Sequence, residues 1–324
     1  MPLRHIAGHR HLIERLSEAV ARGTLPPSLI FSGPDGVGKR ATALALAQAL
    51  NCDKNGCGEC PACRRIARGV HADLLIVGPG ESGTIKVDQI REAIERSAYR
   101  PFEGRRRVVI IDEADALMPE AQNALLKTLE EPPPASTFVL VTSRPDLLLP
   151  TVRSRCQRLR FGRLSPSDIS AVLIRDRGFD APAAHAAAAA ADGSIGRALN
   201  RDAGDATAAR DAAARLLTSA AAAKDPRRRL DAAKALGAGA AERDALAERL
   251  QALSSLLRDL GALNAHAPDD VLANGDLKPV LESARQSFAP DRVDAAFAAV
   301  DRALAALDRN ASPKIVADWV ALNL

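Results

Sequence analysis

Residues 33–40, read as Gly-Pro-Asp-Gly-Val-Gly-Lys-Arg, nearly complete the phosphate-binding pattern GxxxxGK[ST] and break it at the last position. Gly33, Gly36 and Gly38 let backbone N–H groups curl around phosphate oxygens at a helix N-terminus, and Lys39 is placed to reach the terminal phosphates. The final position requires a hydroxyl that ligates Mg²⁺, and Arg40 stands there instead. A guanidinium ~4 Å from a divalent ion is repelled by roughly 8 kcal/mol at an effective dielectric near 20. Thr42 lies further along the helix and cannot point the same way. The pattern describes a nucleotide site impaired for hydrolysis, with binding of ATP and Mg²⁺ left open.

A second group with chemical potential is Asp112-Glu113, which follows the apolar run Val108-Val109-Ile110-Ile111. In a P-loop ATPase an aspartate there holds the metal and the next glutamate polarises the attacking water. The alternative is a solvated turn after a core strand. Cys52, Cys57, Cys60 and Cys63 form C-x₄-C-x₂-C-x₂-C, with Gly56, Gly58 and Pro61 turning the chain between them. Four thiolates so close suit a structural zinc ion with no open position. An iron–sulfur cluster, a redox site and unligated thiols are the other readings. Cys156, distant in sequence, reads as a buried small residue. Arg153 and Arg155 flank Ser154 after an apolar stretch, either as a phosphate-binding fork or as a solvated basic edge. Arg105-Arg106-Arg107 lacks interleaved aromatics and reads as a solvated approach to a strand.

The elements that must position these groups are legible as period and punctuation. Leu29-Ile30-Phe31, residues 74–77, 108–111 and 138–141 are short apolar runs separated by helical patterns, which predicts a parallel sheet buried on both faces. Helices are expected over 41–50, after the loop, and over 119–131, where Pro132-Pro133-Pro134 stops the pattern. Ser165 and Asp168 give an N-cap signal just after Phe161-Gly162, so a domain boundary is placed there. From about residue 205 onward the chain is rich in alanine, leucine and charge with helical periodicity, and the alanine run at 186–191 reads as an ordinary helix.

The chain has 324 residues, enough for two or three domains, and its net charge of +4 is too mild to indicate nucleic-acid binding. No apolar stretch approaches a membrane span and residues 1–5 carry no signal-peptide core, so a cytoplasmic protein with no membrane partner is expected.

Together the loop, the cysteines, residues 108–115, the segment Asn-Ala-Leu-Leu-Lys-Thr-Leu-Glu-Glu-Pro-Pro at 123–133, Ser154-Arg155-Cys156 and Gly-Ser-Ile-Gly-Arg-Ala-Leu at 193–199 resemble the AAA+ clamp-loader subunits of bacterial DNA polymerase III, most closely the delta-prime type. The resemblance covers about residues 5–200. It implies an α/β AAA+ domain at 1–162 with the cysteine knuckle inserted at 52–63, a helical lid at 163–204 and an all-α collar at 205–324. It implies a ring with a delta subunit and gamma/tau motor subunits that places a sliding clamp on primed DNA. It assigns Arg155 as an arginine finger acting in trans, and Thr142 and Arg197 as sensor positions around nucleotide. The delta-prime type is the non-hydrolysing stator. Arg40 agrees with that role, whereas Lys39, Asp112 and Glu113 are better preserved than it requires. Two rival readings are a gamma/tau-type motor and a zinc-containing nucleic-acid-binding module with a vestigial ATPase fold.

Overall fold

In a computed structural model the apolar runs become β1 (Ser28–Ser32), β2 (Leu74–Val77), β3 (Arg107–Ile111) and β4 (Ser136–Thr142), joined by β5 (Gln157–Arg160). All pair in parallel in the order β2-β3-β4-β1-β5. Every residue of β1, β3 and β4 is buried, which is why their sequences are continuous apolar runs and not alternations. The structure describes residues 2–199, 203–222, 225–233, 243–309 and 311–324. They fall into two units, Met1–Leu164 and Ser165–Leu324.

In the first unit the sheet is flanked by α1 (Arg10–Arg22), α2 (Lys39–Asn51), α3 (Pro61–Ala67), α4 (Val87–Ala98), α5 (Pro119–Glu130) and α6 (Pro150–Arg153). Alternate residues of one strand serve opposite layers. Val108 and Ile110 pack with Leu16, Leu46 and Ile66, while Val109 and Ile111 pack with Ile90, Leu125 and Leu129. Burying each such side chain contributes about 1.5–3 kcal/mol. The topology inserts β4 between β1 and β3, so the loop after β1, the acidic residues after β3 and Thr142 at the end of β4 share the carboxyl edge of the sheet. That edge is where doubly wound parallel sheets hold ligands. This is a doubly wound parallel α/β fold with a P-loop-like turn after β1.

Of the three arginines at the start of β3, Arg107 departs from the expectation of a solvated approach, whereas Arg105 is exposed. Arg107 is 9% exposed, and its guanidinium donates to the carboxylate of Asp73 at 3.0 Å and to the carbonyl of Arg100 at 3.1 Å. Arg105 donates to the carbonyl of Cys52. A buried carboxylate far away in sequence draws Arg107 inward, and no local pattern announces it.

The second unit contains α7 (Pro166–Arg177), α8 (Ala181–Ala190), α9 (Ile195–Leu199), α10 (Ala203–Ala222), α11 (Pro226–Ala233), α12 (Arg243–Asn264), α13 (Lys278–Arg285), α14 (Pro290–Asp308) and α15 (Pro313–Asn323). There is no strand among its described residues. Ser165 caps α7 by accepting the Asp168 N–H at 3.1 Å, and Gly178 ends the helix at φ 67°. Leu216, Leu253, Leu257, Phe288 and Val300 make its core, with the buried alanines of α8 permitting close helix approach. No described helix is long and apolar enough to cross a membrane.

Candidate functional site

The loop after β1 is shaped by its glycines. A Cβ on Gly33 would lie 2.1 Å from the carbonyl oxygen of Phe161, so only glycine fits between the ends of β1 and β5. Gly36 and Gly38 take φ values of 73° and 95°, and Gly38 is the N-cap of α2. Val37 is buried, and its carbonyl meets Nε2 of His9 at 3.1 Å. His9 also packs edge-on against Phe161 with ring centres 5.0 Å apart. His9 therefore braces the loop, a role invisible in sequence because it lies outside the motif.

Lys39 is only 6% exposed, and its Nζ donates to the carbonyls of Gly33 and Pro34, both at 2.6 Å. Burial lowers its pKa, and the neighbouring charge of Asp35 opposes that effect. Arg40 turns across the sheet edge, where Nη1 lies 3.0 Å from Oδ2 of Asp112. The residue at the position of the metal-ligating hydroxyl thus pairs with the residue at the position of the metal-ligating carboxylate. Thr42 offers no substitute, since its side chain is fully buried, with its hydroxyl turned onto the Gly38 carbonyl at 2.9 Å. Glu113 is exposed and left-handed at φ 49°.

Thr142 and Asp115 form a second cluster on the same edge. The Thr142 hydroxyl donates to Oδ1 of Asp115 at 2.8 Å, and Arg144 Nε donates to Oδ2 at 3.0 Å. Burial pushes the Asp115 carboxyl up, but these bonds outweigh it and hold the group below the usual carboxylate range. Arg144 carried no motif signal, and only the spatial meeting of the β3 and β4 ends shows its part.

Arg155 and Cys156, the remaining predicted residues of the first unit apart from the clustered cysteines, lie outside this edge cluster. Arg155, 32% exposed, follows α6 and donates through Nε and Nη2 to Oε2 of Glu130 at 3.2 and 3.0 Å, and through Nη1 to the Thr151 carbonyl at 3.1 Å. Arg197 is exposed on α9 and belongs to the second unit. Cys156 is buried in the core beside α5 and α6, and desolvation raises its thiol to about 12, so it is an inert packing group.

The four clustered cysteines lie between the end of α2 and the start of α3. Their sulfurs all fall within 4.8 Å of one another. Cys52 Sγ is 3.7 Å from Cys57 Sγ and 3.8 Å from Cys60 Sγ. A tetrahedron with Zn–S bonds of ~2.3 Å has an edge of about 3.8 Å, so the donor set fits zinc. Backbone N–H groups of Cys57, Cys60 and Cys63 point at sulfurs at 3.5, 3.3 and 3.4 Å, an arrangement that stabilises thiolates. The knuckle sits at the opposite end of α2 from Lys39, ~20 Å along the helix, and so takes no part in chemistry at the loop.

Fold and edge geometry define a parallel α/β domain with a P-loop-like turn after β1, at whose edge Arg40 and Asp112 form an internal ion pair. A family profile described as "DNA polymerase III, delta subunit" matches residues 8–165. This chain is matched by that profile over just under half of its length. It is 37% identical to DNA polymerase III subunit gamma/tau of Mycobacterium tuberculosis over 174 residues, covering 52% of this chain and 30% of that protein. It is 34% identical to the gamma subunit of Buchnera aphidicola over 204 residues, covering 60% of this chain and 56% of that one. This chain thus spans less than two thirds of the length of these relatives. A gamma subunit-related protein of Thermotoga maritima superposes with a TM-score of 0.44 at 20% identity, over 95% of this chain and 96% of that one.

Proposed function

We propose that the chain is the non-motor, delta-prime-type subunit of the DNA polymerase III clamp loader, working in the cytoplasm. The observation that carries this reading is Arg40 on Asp112, 3.0 Å apart, where a hydrolysing site needs a hydroxyl and a metal. In this proposal the chain joins a delta subunit and gamma/tau motors in a ring that loads the sliding clamp on primed DNA. Residues 163–204 serve as lid and 205–324 as collar. The cysteine knuckle holds a structural zinc ion. Gly33, Gly36, Gly38, Lys39 and Thr142 line a nucleotide site that does not turn over.

Arg155 acts in trans on the neighbouring motor's nucleotide. Its partner Glu130 is 60% exposed, and such surface pairs are worth about 0–1 kcal/mol, so release toward a neighbour's phosphate costs little. Arginine fingers contribute ~10³–10⁵ in rate at the site they complete, about 4–7 kcal/mol. In a reconstituted ring, Arg155→Ala should remove DNA-stimulated ATPase from the one motor site it serves while the ring still assembles. Unchanged ATPase would withdraw Arg155 from this role.

Identity of 37% to a gamma/tau subunit favours a second reading, a motor of the same loader. ATP turnover by the purified chain, abolished by Lys39→Ala, decides for the motor. No turnover with Mg²⁺, with or without primed DNA, decides for the stator.

A further inference from the structure

The side chains at the loop do not fit a magnesium ion. Magnesium demands near-octahedral oxygen coordination at short range. The loop position that would supply a hydroxyl is Arg40, the nearby Thr42 hydroxyl is fully buried against the Gly38 carbonyl, and Oδ2 of Asp112 already pairs with Arg40. The Arg40–Asp112 pair bridges the first turn of α2 and the end of β3, which is the span a metal ion would bridge. A guanidinium presents five N–H donors in a planar fork suited to phosphate oxygens. Nη1 engages Asp112, so the fork has further donors to offer while it stays in place. Arg40 is 60% exposed, so it can lean toward a ligand without disturbing the core.

From this geometry we propose that the loop binds nucleoside di- or triphosphate in its metal-free form, with the Arg40 guanidinium standing where magnesium stands in a hydrolysing site. The inference rests on reading residues 33–40 as a nucleotide site, and adds the ionic form of its ligand. Metal-free phosphate oxygens are bare anions, and Lys39 and Arg40 are the cations within residues 33–40. A magnesium-bound phosphate brings a second cation against Arg40 and competes with it for Asp112. The same pair that blocks hydrolysis therefore selects the ligand, and metal-free ADP and ATP become retained ligands instead of fuel.

The test is equilibrium binding of fluorescent ADP and ATP analogues to the full chain, in excess Mg²⁺ and in magnesium-free buffer without chelator. The unaltered chain should bind as tightly without Mg²⁺ as with it, or more tightly. Arg40→Thr, which restores a hydroxyl, should reverse the order and bind about tenfold tighter with Mg²⁺. Arg40→Ala should weaken magnesium-free binding by about tenfold. Thermal melting checks that each variant is folded. A requirement for Mg²⁺ in the unaltered chain overturns the proposal. Failure to bind in either condition overturns it too, yet leaves the stator reading standing. ATP turnover would instead sink the stator reading.

Discussion

Asp73 has no accessible surface, yet four donors converge on its carboxylate. These are the N–H groups of Phe102, Glu103 and Gly104 at 2.6, 3.0 and 2.7 Å, and Arg107 at 3.0 Å. Burial alone would raise this carboxyl, but the donors outweigh it and pull its pKa from 3.8 to about 2. A depressed carboxylate stabilises the fold above its unfolded pKa and loses that contribution as pH falls through the folded one. The loss should therefore run from pH 3.8 down to about 2, and amount to about 2 kcal/mol. Asp73→Asn should cost a similar ~2 kcal/mol at neutral pH and leave Arg107 buried without a counter-charge. Urea titrations at pH 7 and pH 2 measure both, and an Asn variant as stable as the parent at pH 7 would refute the account. Nothing in the sequence marked Asp73. Its partners come from the segment before β3, and only the folded sheet brings them together. The same holds for Asp112 as the partner of Arg40, although each residue was singled out alone.

Among the elements, those with a strong period were readable and those defined by long-range contact were not. β1 to β4 followed from continuous apolar runs, and α5 from its spacing and the prolines after Glu131. The cysteine cluster was legible because its four members lie close in sequence at a spacing that suits a metal ion. Its function as a brace was not. Gln48 on α2 donates to the Cys63 carbonyl at 2.7 Å, Arg105 reaches the Cys52 carbonyl, and a Cβ on Gly58 would press on Pro2 at 3.1 Å. The knuckle thus ties the end of α2 to α3, to the approach to β3 and to the N-terminal segment. One equivalent of zinc should copurify with the chain. Its removal by a chelator should lower the melting temperature by roughly 5 °C, about 2 kcal/mol for a unit of this size. Metal analysis and melting curves check this, and loss of zinc with no change in melting would show that the ion braces nothing.

For the molecule as a whole, charge argues against an independent nucleic-acid binder. The net charge is only +4, and two of the arginines that lent weight to that reading are spent internally, Arg105 on the knuckle and Arg107 on Asp73. The isolated chain should therefore bind primed DNA weakly, and its affinity should fall gently with salt because few phosphates are neutralised. Gel shifts across a salt series measure this, and tight binding with a steep salt slope would revive the nucleic-acid module. The strand order has a further consequence, for self-association. A parallel sheet has two open rims, and each is a template on which a foreign strand can grow. Here one rim is β2, only four residues long, and the other is β5, whose Gln157, Arg158 and Arg160 are exposed. A short rim gives an incoming strand little to grip, and a rim studded with guanidinium groups repels a copy of itself. The sheet is closed to growth by charge and by brevity, so copies crowded together in a cell should stay separate instead of zippering into fibres.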